Sequence, residues 1–187
     1  MTGPDASAVA DRALCLYAFT RRGAIEYALG EFGNDPRRFA QAEAARVETD
    51  RWLDANGLRP ALTGTESRLL EAESGAWPAP AISDAMWRRE ALGALLWALG
   101  HLDALPAMNV EFVQADLEQA ITRSGSVDSF RADGRLRSPD QIDAAWGEAD
   151  AWLGATEGAT GEDAALASVS AERTLALSWL RGESWPA

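Results

Sequence analysis

Lysine is missing altogether: all 17 basic side chains of this 187-residue chain are arginines. That absence removes at one stroke the P-loop, the lysine Schiff base to pyridoxal phosphate, the kinase strand lysine and the Ser-x-x-Lys hydrolase motif. Histidine occurs once, as His101, and cysteine once, as Cys15. One of each leaves no His-Glu-x-x-His site and no thiolate framework, so no metal is expected and no intrachain disulfide can form. Positive charge is scarce as well. A formal net charge of -12 repels phosphate backbones, whereas nucleic-acid binders present a basic face that releases counterions, so no nucleic-acid partner is expected. No apolar run reaches the ~20 residues that a bilayer demands. The N-terminal MTGPDASAVAD is acidic and has no basic stretch before a long apolar run, so it does not read as a signal peptide. A soluble, cytoplasmic protein with no membrane partner is the expectation.

Glycine does not restore an enzyme motif. GATEGATG, at 154–161, lacks the G-x-G-x-x-G spacing and follows no strand, so no dinucleotide cofactor is expected. The serines beside Gly125 lack the G-x-S-x-G pattern. The acidic loop around Gly134 fails as an EF-hand, because Ser129 and Arg131 stand where carboxylate or amide ligands are required. Cys15 lies in an apolar helical segment without the electropositive niche that activates a thiol, and reads as a small buried hydrophobe.

What is present is helix. Hydrophobic residues make up 47% of the chain, enough to fill one compact domain over 1–187. No segment combines strict alternation with β-branched enrichment and paired turn signals. A first helix is predicted over 7–29 with Gly30 as its stop. Asp35 and Pro36 open a second that ends before Gly57, with Phe39, Ala45, Trp52 and Leu53 on its buried side. Thr63-Gly64-Thr65-Glu66 is a capping box for a third that stops near Gly75, with Leu69 and Leu70 in the core. The Trp77-Pro78-Ala79-Pro80 link reads as extended. Beyond it, Ser83 caps a helix over about 84–100 that is apolar all round and therefore buried on all sides. A fifth, over 111–122, presents Phe112, Val113, Leu117 and Ile121. The segment 130–136 reads as a loop or minimal hairpin about Asp133-Gly134. Ser138-Pro139-Asp140-Gln141 opens a sixth over 139–153, 154–161 is a flexible loop, and a last helix spans 163–180. The fold class is all-α: a single-domain bundle of about seven helices around the central one.

Chemistry-bearing candidates are the ions embedded in apolar helices: Arg12, Glu90 and the pair Glu172-Arg173, with Arg137 ahead of the sixth helix. Charges survive burial when paired, so these five are expected either to form interior ion pairs or to line a polar pocket that holds a small anion. His101 follows the helix stop at Gly100 and is expected to complement the helix dipole, with a general base or ligand as its other reading. The eight tryptophans, at helical positions, read as packing.

The segments DRALCLYAFTRR, Trp87-Arg88-Arg89-Glu90-Ala91-Leu92 followed by LLWALG, Arg137-Ser138, and Glu172-Arg173 with Ala176-Leu177 and Trp179-Leu180 together resemble an uncharacterised, mostly bacterial family known as domain of unknown function 4272. The resemblance covers most of the chain and implies an all-helical soluble domain with no assigned activity. Two readings of function follow. One is a non-catalytic protein-binding module, immunity-type or regulatory, that meets a basic protein through its acidic surface. The other is an enzyme or small-anion-binding protein with an Arg/Glu pocket beside the central helix.

Overall fold

The computed structural model of the protein describes residues 3–32, 35–161 and 163–186, with Phe32 through its backbone alone. These residues are helical and form no strand: α1 (Ala6–Phe32), α2 (Pro36–Ala55), a 3-10 turn (Arg59–Ala61), α3 (Gly64–Glu71), α4 (Ala79–Ala98), α5 (Gln114–Thr122), α6 (Val127–Asp133), α7 (Pro139–Ala155) and α8 (Asp163–Leu180). The eighth helix is α6, which occupies part of the stretch expected to be a loop or hairpin. Ser126 caps it by accepting a hydrogen bond from the Ser129 N–H, and it buries Val127 and Phe130. At seven residues it is too short for a helical period to stand out in the sequence.

Two helices, rather than one, form the interior. α4 is buried without interruption from Glu90 to Leu99, and α1 from Arg12 to Thr20. Helices enclosed on all sides need neighbours all round. α1 and α4 pack on each other, α2 and α6 cover α1, α5 and α8 cover α4, and α7 lies on α8. The α1–α4 crossing is close at Gly23, where a Cβ would stand 2.5 Å from the Cβ of Ala85. Gly93 plays the same part on another side of α4, for the Phe112 ring fills the space a side chain would need.

Local punctuation explains most helix ends. The Asp35 side chain accepts from the Arg37 N–H with Pro36 in the first turn, and Thr63/Glu66 and Ser138/Gln141 form the two expected capping boxes. α4 closes in a Schellman motif: Gly100, at φ 79°, donates to the Trp97 carbonyl and His101 donates to that of Leu96. Several ends differ from expectation. α1 runs through Gly30, where an interior glycine costs only about 1 kcal/mol. α3 stops at Glu71, ahead of Gly75. α4 starts at Ala79, because a proline at its second position, Pro80, falls where no N–H is needed. α5 begins at Gln114, leaving Val113 outside the helix and exposed. Phe39 is exposed too, one turn before Ala42, the first buried residue of α2. α7 continues through Ala155, so the glycine-rich run is helix at its start and turn from Thr156 onward. No helix among the described residues is long and apolar enough to cross a membrane.

Candidate functional site

Glu90 and Arg173 meet in the interior, where α4 and α8 face each other. Arg173 Nε and Nη2 donate to one carboxylate oxygen of Glu90 at 3.0 and 2.8 Å, and the Phe112 N–H donates to the other at 2.9 Å. Neither side chain is more than 1% exposed. The remaining arginine donors reach backbone: Nη1 to the Pro106 carbonyl at 2.8 Å and Nη2 to that of Val110 at 2.7 Å. A guanidinium presents five donors in a fixed fork, so one side chain holds a carboxylate and a loop together. The pair therefore fastens the 99–113 connection onto the two helices, and both Glu90 oxygens are occupied.

Arg12 and Glu172 belong to a second array, assembled around Trp185. Arg12, in α1, forms a two-pronged pair with Glu66 of α3 at 2.6 and 2.5 Å, and Glu66 also accepts the Thr63 N–H as part of its capping box. The Arg12 guanidinium lies 4.2 Å from the Trp185 ring centre, and that of Arg88 lies 5.9 Å from it. Arg88 in turn bonds Glu172 at 3.1 Å. Glu172 thus pairs with its α4 neighbour rather than with Arg12, Arg137 or Arg173. Burial pushes the Glu172 carboxyl up to about 7 even though Arg88 pulls it down. Its ordinary value is 4.5, so between about pH 4.5 and 7 the folded state holds a proton that the unfolded chain has released, and the stability it confers is lost as pH rises through that window. Urea denaturation of Glu172→Gln beside the parent should show the parent losing stability relative to the variant between about pH 5 and 7.5. Parallel curves would refute it.

Arg137 stands apart from both arrays. Its Nε donates to the Trp97 carbonyl and its Nη2 to those of Leu102 and Asp103, all at 2.9 Å. It is a cation set on the carbonyl end of α4, the position that the helix dipole favours. His101 does not share that role. Its ring stacks on Phe130 at 4.2 Å, its Nε2 is buried without a partner, and burial lowers its pKa from 6.5 although a backbone hydrogen bond at Phe130 opposes the shift. Burial without a partner at Nε2 thus works against the imidazolium. Cys15 is fully buried, donates to the Leu58 carbonyl at 3.3 Å and has its thiol pushed up to about 12 by burial, which leaves it inert.

A third buried pair escapes a reading of isolated ions. Arg22 and Glu26, four residues apart on α1 and each 1% exposed, bond at 2.7 Å. Arg22 also holds Ser74 and the Ala72 carbonyl, and Glu26 accepts the Gly75 and Trp77 N–H groups, so the pair fixes the 72–77 connection onto α1. The i,i+4 spacing was the available signal.

The outer surface is different. From Ser138 to Glu172 the sequence carries eight acidic residues and no arginine. Along α7, the turn after it and the start of α8, Asp140, Asp143, Glu148, Asp150, Glu157 and Asp163 are exposed. Asp143 bonds Arg181 at 2.7 Å, while the other five make no ion pair among the described residues. Among the described residues no three histidine, cysteine or acidic side chains are grouped as metal ligands.

The family model described as Domain of unknown function (DUF4272) matches residues 1–186. The chain belongs to this family. No curated protein and no solved structure matches it. The Glu90–Arg173 and Arg88–Glu172 pairs both lie within the residues that the DUF4272 model matches.

Proposed function

We propose that the protein is a non-catalytic binding domain, immunity-type or regulatory, that receives a basic protein on its α7–α8 flank. The observation that carries this reading is the set of five exposed carboxylates on that flank with no cation to balance them. Like charges held together repel in the free protein, and a cationic partner relieves the repulsion while the field steers its approach. The interior ions support the same reading, because Glu90, Arg173, Arg12 and Arg137 are each engaged with protein groups.

A defined test takes any basic protein found to be encoded beside its gene, purifies it and passes it over the immobilised protein in surface plasmon resonance. A specific partner is expected to associate at least about tenfold more slowly as salt is raised from about 50 to 500 mM, since the Debye length shrinks several-fold over that range. A quadruple variant, Asp140→Asn, Glu148→Gln, Asp150→Asn and Glu157→Gln, changes only exposed positions and should slow association similarly at low salt. Partners whose on-rate ignores both salt and the variant would overturn the proposal, as would tight binding to duplex DNA at physiological salt.

A further inference from the structure

α2 and α6 both lie on α1 without closing on each other, and the gap between them is a cleft of about 280 Å³. Its axis follows α1. At one end Arg131 of α6 bridges the two walls, bonding Asp11 of α1 at 2.6 Å and the Asn56 carbonyl at the end of α2 at 2.9 Å. One to two turns further along α1, Leu14 and Ala18 form a floor that Ile121, Val127 and Phe130 continue from the far side. Tyr17 and Trp52 form an edge-on aromatic pair, ring centres 6.3 Å apart. Beyond them stand Arg21 of α1 and Glu48 of α2, both exposed.

Of the polar side chains that line the cleft, Thr49, Thr122 and Ser126 are bonded within their own helices or caps, whereas the charged and aromatic ones are unspent. Arg21 lies over the Tyr17 ring, 5.5 Å from its centre, but makes no ion pair, and Glu48 makes none either among the described residues. The Tyr17 hydroxyl and Trp52 Nε1 also have no hydrogen-bond partner among those residues, whereas the indole nitrogens of Trp77 and Trp146 are bonded. A guanidinium and a carboxylate that line one cleft without touching leave a space with a positive side and a negative side. A group that satisfies both carries a carboxylate and an ammonium on one carbon, and the apolar, aromatic interior takes its side chain. We infer that the cleft binds a hydrophobic α-amino acid as the free zwitterion, side chain on the Leu14–Val127 floor, carboxylate on Arg21 and ammonium on Glu48. The volume is near the lower limit for small-molecule sites and suits a ligand of this size. This inference stands independently of the acidic flank, which is built from other helices.

Calorimetric titration of the full chain with L-phenylalanine tests it, alongside 3-phenylpropionate, which keeps only the anion, and phenethylamine, which keeps only the cation. L-Phenylalanine is expected to saturate with a Kd of about 2 mM or tighter, the value that ordinary ligand efficiency gives for its size. Each single-charge analogue should bind at least about tenfold more weakly, as should L-phenylalanine to Arg21→Gln and to Glu48→Gln. Both substitutions are at exposed positions, so the fold should persist, and circular dichroism would verify it. The Trp52 indole N–H resonance, assigned with Trp52→Phe, should shift along the same saturation curve. The inference fails if no saturable binding appears by about 10 mM, a concentration well above that Kd. It also fails if an analogue binds as well as the zwitterion, if neither charge variant weakens binding, or if the Trp52 resonance stays still.

Discussion

Glu90→Ala should destabilise the protein by about 3 to 5 kcal/mol, a large part of the roughly 5 to 15 kcal/mol that holds a domain of this kind folded. The variant leaves the Arg173 guanidinium, 1% exposed, without its counter-ion, and it leaves the Phe112 N–H without an acceptor. An unpaired interior charge is the more serious of the two losses, since even a relaxed site recovers little of the lost hydration. Adding Arg173→Met removes the stranded charge but abandons the Pro106 and Val110 carbonyls, so the double variant should recover part of the loss and not all of it. Urea denaturation of the two single variants and the double, read as a cycle, measures the coupling. Hydrogen exchange adds a local readout, with amides of 106–112 opening in Glu90→Ala ahead of those of α1. A loss below about 1 kcal/mol would mean that the pair is replaceable by water and that the interior is less closed than its geometry indicates.

How far this framework could be read in advance depended on whether the partner of each ion has a side-chain identity and lies nearby in sequence. The caps of α2, α3 and α7 were legible because the groups involved lie within three residues of one another. The expectation that the embedded ions form interior pairs could be formed because they interrupt apolar runs and burial forces such ions together, but only Glu90 and Arg173 pair within that set, while Glu172 takes Arg88 and Arg12 takes Glu66. Arg137 was not legible in the same way. Its partners are carbonyls, which every residue carries, so no pattern marks them. Arg12 pairs with Glu66, a residue that reads as a helix cap and serves as both cap and counter-ion. The α7–α8 flank was visible as a run of acids without arginine, yet a net charge taken over the whole chain averages it away. The α1–α2–α6 cleft was the least legible feature, since it arises from two helices that fail to meet.

Leu96→Ala is the second large effect, expected at about 2 to 5 kcal/mol. Leu96 is fully buried on α4, in the stretch enclosed from Glu90 to Leu99, where α1 covers one side and α8 another. A cavity at a surface-facing core position can shrink when one layer moves inward. Here collapse would require α1 or α8 to move, and both are tied by buried ion pairs, Arg12 to Glu66 and Arg173 to Glu90. The cavity should therefore stay open, and each Å³ of it adds about 24 cal/mol to the loss of burial, which places the expected value toward the upper end of the range. Val113→Ala is the companion measurement. At 59% exposure it should stay within about 0.5 kcal/mol of the parent, although the sequence reads Val113, like Leu96, as an apolar residue of a helix. Chemical denaturation of both variants decides the matter: a Leu96→Ala loss no larger than that of Val113→Ala would refute the enclosure of α4 between α1 and α8.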